Sequence, residues 1–202
     1  HGTHVAGTIA AVSNNGKGVA GIAGGDKAKG IQGVKLISSQ IFGVDGSGTT
    51  ESSANAIKGA ADKGAVISQN SWGYNFDANG DGEIAGEEYT KAMNARISAS
   101  DRAAVDYFIK YAGCDNYGNQ LSNSPMKGGV VIFAAGNDNI ANGAPAEYDQ
   151  VIAVGSVDRA GNKSSFSNYG DWVDICAPGS SILSTLPDNK YGNLSGTSMA
   201  CP

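Results

Sequence analysis

Charge is scarce in this 202-residue sequence: Asp, Glu, Lys and Arg make up 16% of it, against roughly a quarter in an average globular protein. What charge there is leans acidic, 19 acidic side chains against 14 basic, for a net charge of -5. With no basic stripe or patch to neutralise phosphates, nucleic acid is excluded as a partner. No apolar run approaches the roughly 20 residues of a membrane span. Cysteine is sparse and odd in number, Cys114, Cys176 and Cys201, so at most one internal disulfide is possible. The simplest reading of Cys176 and Cys201 is small buried thiols. The hydrophobic share, 41%, is ordinary, which excludes a disordered or fibrous chain and suits one globular domain with a real core. The sequence opens at His1 without an initiator Met or signal peptide and stops at Pro202 without a helix-ending signal, so the expectation is a piece of something longer.

Glycine is what the sequence has in excess, 30 residues, about twice the usual share of roughly 7%. Without collagen-like periodicity, such a surplus marks tight turns and close backbone approaches. Short apolar runs alternate with helical spacing. Val34–Phe42, Ala65–Gln69, Gly129–Ala135 and Gln150–Val157 read as strands, and Trp172–Cys176 and Ile182–Leu186 as shorter ones. The run Val130 to Ala135 is apolar throughout, as in a strand buried on both faces, which predicts a parallel sheet covered by helices. Between the first two strands, Ala54, Ile57, Lys58 and Ala61 predict a helix over about 50–63 and hence a right-handed crossover. The segment from about 75 to 112 breaks the rhythm with an acidic turn and then helical spacing. It reads as an insertion too short to form a core of its own.

Two stretches carry chemistry at the chain's ends, His1-Gly2-Thr3-His4-Val5-Ala6-Gly7-Thr8 and Gly196-Thr197-Ser198-Met199-Ala200-Cys201-Pro202. A His opening an Ala-rich helix and a Ser in a Gly-Thr-Ser turn at a helix start are two halves of a base and nucleophile pair. A Ser becomes nucleophilic only when a neighbouring base takes its proton, and a helix N-terminus offers free N–H groups to a developing oxyanion. The plainer readings are a helix N-cap for Ser198 and a polar surface position for His1. A metal pair of His1 and His4 lacks the adjacent Glu and the i, i+4 spacing of a zinc helix.

Both stretches are signatures that resemble the subtilase family of subtilisin-like serine proteases, and two further matches fall between them in the family's order. Phe133-Ala134-Ala135-Gly136-Asn137 resembles the segment whose Asn completes the oxyanion hole, and Asn70-Ser71-Trp72-Gly73 the strand that pairs with substrate. The resemblance implies an α/β, three-layer subtilisin-like fold with a mostly parallel central sheet flanked by helices and truncated at both ends. It covers residues 1–202 as one partial catalytic domain. It implies a serine endopeptidase that is secreted, periplasmic or at the cell surface and acts on peptide or protein substrates through an acyl-enzyme. Ser198 would be the nucleophile, His1 the general base and Asn137 an oxyanion donor, with His4 structural. Gly46-Ser47-Gly48 resembles the second substrate-pairing edge, opposite Ser71-Trp72-Gly73, so that a peptide would add as a strand between them. Ala134, Ala135, Gly136 and Gly143 would line the pocket for the side chain before the scissile bond, and their small size leaves room for a bulky apolar group. Ala144-Pro145 matches a family turn with a cis proline.

The departure from the pattern is at the amino end: the family's order is Asp, His, Ser, and the motif bearing the Asp lies upstream of the His. The 202 residues are therefore expected to be inactive or crippled by themselves; the alternative is a non-catalytic, calcium-dependent peptide-binding or structural module on the same fold. The calcium expectation comes from Asp77 to Glu88, which fits the twelve-residue EF-hand loop at each defining position. Asp77, Asn79 and Asp81 would supply side-chain oxygens, Glu83 its carbonyl and Glu88 a bidentate carboxylate, with Gly82 at the sharp turn. No clear helix precedes Asp77, which argues against a complete helix-loop-helix hand. The loop holds five of the 19 acidic residues and no basic one, so the body around it is neutral.

Overall fold

The structure, a computed structural model, describes residues 1–202. Its centre is a parallel sheet of four strands, β3 (Ile67–Asn70), β4 (Val130–Ala134), β5 (Ile152–Val157) and β6 (Ile175–Pro178), side by side in that order. The register sets Asn70 against Phe133 and Ala134 against Val154. Alternate residues of β4 serve opposite faces, as a strand's period of two requires. Val131 and Phe133 meet Ile57 of α2 (Thr50–Asp62) and Val105 and Phe108 of α4 (Ala99–Tyr111). On the other face Ala134 and Val154 pack on Ala200 and Cys201 at α5 (Thr197–Ala200). Helices thus cover both faces of a parallel sheet, and the α/β expectation holds.

Local sequence accounts for most helix boundaries. Thr49 caps α2 by accepting from Ser52 N, and Ser52 answers in a reciprocal capping box. Ser98 caps α4 through Asp101 N. The segment expected to be an insertion contains two helices, α3 (Gly86–Asn94) and α4, and α4 contributes Val105, Phe108 and Ala112 to the main core. Buried Asp101 accepts hydroxyl hydrogens from Ser53, Tyr74 and Ser98, tying α2, α4 and the chain leaving β3 together. Ala144-Pro145 is cis, as expected.

Three expectations fail. Val34–Phe42 is not a strand: apart from Val34 N–H donating to Ala23 O, Ile41 O accepting from Ser52 Oγ and one isolated bridge at Phe42 it forms no ladder, and Val34, Leu36, Ile37 and Phe42 are exposed. Cys176 is exposed because β6 is the outer strand of the sheet; Cys201 is buried, and all three cysteines are free thiols. Strand structure near Trp172 starts only at Ile175. Two small antiparallel pairs also lay outside the sequence reading. One joins β1 (Gly25–Asp26) to β2 (Ile31–Gln32), and the other joins β7 (Ile182–Leu186), which was foreseen, to β8 (Lys190–Leu194), which was not.

Candidate active site

Parallel strands deliver their C-terminal ends to one edge of the sheet, where ligands bind in such folds. β3 runs out into Ser71-Trp72-Gly73 and β4 into Ala135-Gly136-Asn137. The β7–β8 hairpin leads into Gly196 and the start of α5, bringing Ser198 to the same edge. The hairpin also grips α1 (Gly2–Ala10), the helix that His1 opens as its N-cap. Buried His4 places Nε2 at 2.9 Å from Ile182 O and 3.2 Å from Gly192 O. Two carbonyl acceptors at Nε2 require the proton there, and Nδ1 is left buried without a partner. Ser184 Oγ donates to His4 O at 2.7 Å and Thr185 Oγ1 to Thr3 O at 2.7 Å. One hairpin therefore fixes the helix of His1 and leads covalently to Ser198.

At Ser198 the hydroxyl donates to Ser71 O at 3.3 Å, and Ser71 Oγ returns a hydrogen bond to Ser198 O at 2.8 Å. No hydrogen bond joins His1 to Ser198; His1 is exposed and Ser198 half-buried, and α1 packs against α5. Asn137 Oδ1 accepts from Thr197 N at 2.8 Å and from Thr197 Oγ1 at 2.9 Å. Those two donors identify which end of the amide is oxygen, so Nδ2 is the outward, unpaired end. The Ser198 N–H likewise has no acceptor in the chain. A Cβ built on Gly196 would lie 3.6 Å from Asn137 Oδ1, whose lone pairs Thr197 already occupies, and 3.7 Å from both Asn137 Nδ2 and Ser198 N. Two free donors flank the space that a side chain at Gly196 would fill, and φ of 155° there disfavours any other residue. Thr197 is the hub that sequence reading missed: besides holding Asn137, its hydroxyl accepts from Gly136 N at 3.1 Å.

Ala134, Ala135, Gly136 and Gly143 come together around one small cavity of about 20 Å³, with Gly73, Tyr74, Phe76 and Ala92 among its other walls. Gly143 is required, since a Cβ would collide with the Ala135 carbonyl. Phe76 and Ala92 bring the expected insertion into the pocket wall. Trp72 sits edge-on to Phe133, ring centres 5.1 Å apart, and donates Nε1–H to Asn70 Oδ1 at 3.2 Å, so its side chain belongs to the core margin. Gly46-Ser47-Gly48 forms an exposed turn in which Ser47 N and Oγ both donate to Asp45 Oδ1. No hydrogen bond joins it to Ser71-Trp72-Gly73.

The acidic loop closes on itself. Glu88 Oε1 accepts from Ala78 N at 2.9 Å and Asn79 N at 3.2 Å. The two oxygens of Asp77 accept from Gly80 N and Gly82 N, and Asp81 Oδ1 from Glu83 N. Helix α3 begins within the loop's last three residues, and the element before the loop is strand β3 rather than a helix. No three carboxylate, imidazole or thiol groups of the chain converge on one point. The loop's carboxylate, amide and carbonyl oxygens are of the kind a hard cation takes, but its side-chain oxygens are turned to its own backbone N–H groups rather than to a common centre.

The subtilase family model matches residues 1–202. Thermitase from Thermoactinomyces vulgaris is 40% identical over 203 residues, taking in 100% of this chain and 57% of thermitase. A thermophilic serine proteinase of Bacillus sp. (strain AK1) is 36% identical over 207 residues, with 100% of this chain and 40% of that protein covered. Among solved structures, a cold adapted subtilisin-like serine proteinase superposes with a TM-score of 0.63 at 27% identity, covering 100% of this chain and 56% of that one. The chain thus spans roughly half the length of these relatives.

Proposed function

The chain belongs to the subtilase family, and from that premise we propose that it carries the nucleophile, general base and oxyanion donors of a serine endopeptidase. The observation that supports this most directly is the pair of unpaired donors, Asn137 Nδ2 and Ser198 N, around the space over Gly196. A scissile carbonyl oxygen placed there becomes an oxyanion when Ser198 Oγ attacks, and the donors stabilise it as charge develops. His1 takes the Ser198 proton and returns it to the leaving amine; water then attacks the acyl-enzyme by the same route. Attack requires Ser198 Oγ to turn from Ser71 O toward His1, a rotation about χ1 within an accessible site.

A fluorophosphonate probe tests the reading. Labelling should fall on Ser198, vanish in Ser198→Ala, and slow by about 10²- to 10³-fold in Asn137→Ala, the size measured when subtilisin loses its equivalent donor. A native chain that is never labelled would leave only a peptide-binding module. No acid among the 202 residues hydrogen-bonds or pairs with His1. We therefore take turnover by these residues alone to be slow, since subtilisin loses about 3 × 10⁴ in turnover without its Asp. A longer form labelled no faster than residues 1–202 would defeat that part.

We also assign calcium to Asp77, Asn79, Asp81, Glu83 and Glu88, on the fit of the loop sequence and its closed shape. An exposed loop of this kind suits a protein working outside the cytoplasm, where the ion is abundant. Titration calorimetry should show calcium binding that Asp81→Ala removes; no heat with the native chain rejects the assignment.

A further inference from the structure

Asn137 is held from two sides, and only one of them belongs to the serine motif. The last ladder bond of β4 runs from Ala135 N–H to Val154 O, and beyond it the chain carrying Asn137 lies outside the sheet. On one side Thr197 Oγ1 accepts from Gly136 N, and Asn137 Oδ1 accepts from Thr197. On the other lies Asn168, 3% exposed, in the connection between β5 and β6. Its backbone N–H donates to Gly136 O at 3.0 Å. Its Oδ1 accepts from Asp138 N at 2.8 Å and from Ile140 N at 3.2 Å, while Asn139 N donates to Phe166 O at 2.9 Å. The three amides that follow Asn137 therefore all end on residues 166–168. A Cβ at Gly136 would collide with the Asn168 amide, so the two segments meet flush.

Asn168 is in turn fixed to the sheet. Ser167 Oγ accepts from Ser156 N of β5 at 3.0 Å and donates to Asn168 O at 3.0 Å. Lys163 Nζ adds a tie from the same connection, donating to Asn139 Oδ1 at 2.7 Å and to Ser167 O at 3.0 Å. The Asn168 side chain bonds to Asp138 and Ile140, not to Ser198 or His1. Its route to the reaction is the backbone that carries Asn137. A donor serves an oxyanion only where it is aimed at the developing charge, and a displacement of about 1 Å can cost about 10² in rate. We propose that Asn168 is a positioning residue for oxyanion stabilisation, holding the 136–140 turn so that Asn137 Nδ2 faces the space over Gly196. The proposal rests on the protease reading of the Ser198 site.

The test is a double-mutant cycle on fluorophosphonate labelling, with the rate at saturating probe separated from the half-saturating concentration. Asn168→Ala should slow the saturated rate by about 10-fold or more, below the ceiling of about 10²- to 10³-fold for losing the donor itself. Half-saturation should move by less than about 3-fold. In the Asn137→Ala background the same substitution should change the rate by less than about 2-fold, because the donor that it positions is gone. A role confined to stability would lower the urea midpoint in both backgrounds and give no such coupling. The swap of Asp138→Asn with Asn168→Asp keeps an acceptor at 168 and the net charge, and should label within about 3-fold of the native chain. If Asn168→Ala does not fold, Asn168→Ser, too short to reach both amides, enters the same cycle. A single variant labelled at the native rate, an undiminished effect without Asn137, or a swapped pair as slow as the single variant overturns the positioning role and leaves the protease reading intact. A native chain that is never labelled overturns both.

Discussion

Strand β4 and the segment 34–42 share Val, Ile and Phe and end up in opposite situations. β4 pairs with β3 on one side and β5 on the other, and Val131, Phe133 and Ala134 are at most 5% exposed. In the segment, Val34 and Leu36 are nearly half exposed, and no N–H from Lys35 to Ile41 donates to another part of the chain. Both carry β-branched and aromatic side chains, but 34–42 interrupts its own with Lys35, Ser38, Ser39 and Gln40, and only β4 has strand neighbours. β-propensity expresses the fit of a side chain to a half-buried pleated surface, and the segment meets no such surface within these residues. The comparison can be broken at the strand, at the helical layer that covers it, or at the segment.

The largest effect belongs to Phe133, fully buried between Trp72 and the α4 side of the sheet. Phe133→Ala should cost about 3–5 kcal/mol, read as a lowered urea midpoint with an unchanged slope. A loss below about 1 kcal/mol would mean that β4 is not the centre of the core. Next comes Asp101, which accepts from three hydroxyls on three segments of the covering layer. Asp101→Ala takes their acceptor from half-buried Tyr74 and Ser98 and leaves buried Ser53 only the weaker bonds to Thr49 O and Thr50 O at 3.2 Å, and about 2–3 kcal/mol should be lost. Asp101→Asn, which keeps one carbonyl acceptor, should lose less.

These two sites also show what could be read in advance. β4 was legible because a strand buried on both faces is a continuous apolar run, and β3 and β5 as short runs beginning in Val, Ile or Ala. β8, Lys190 to Leu194, has a charged residue and a central Gly and gives no such signal. His1, Asn137 and Ser198 were legible as family motifs. Thr197 was not, because its role comes from Gly136, 61 residues away; Ser71 was read as part of the substrate-pairing strand, but its hydrogen bond to Ser198 O, 127 residues on, was not. A Thr beside a Ser looks like part of the same cap until the strand end that it holds is seen. Val34–Phe42 misled for the converse reason: its pattern was that of a strand, but a strand needs neighbours, and a local pattern carries no information about them.

A smaller effect concerns pH. Burial, reinforced by the hydrogen bond to Asp101, pushes the Tyr74 phenol up to about 12. Folding thus favours the protonated phenol. Its contribution is complete below the ordinary value of 10.0 and is lost as pH rises from there toward about 12. Tyr74→Phe should be less stable than the native chain near neutral pH, and the gap should shrink across that alkaline window in paired melting curves. A gap that widens there would show that the phenol ionises more easily in the folded chain.

The smallest effect is the most informative about the segment. Leu36 is 49% exposed, so Leu36→Ala removes few contacts and should change stability by no more than about 0.5 kcal/mol. Amides 35–41 should exchange with solvent far sooner than those of β4, since the former have no protein acceptor and the latter lie within a sheet. If Leu36→Ala instead cost as much as a core truncation, or if these amides were protected to the level of β4, the segment would be buried against something in solution. Apolar side chains at 34–44 would then belong to an interface, and the contrast with β4 would be one of partner rather than of kind.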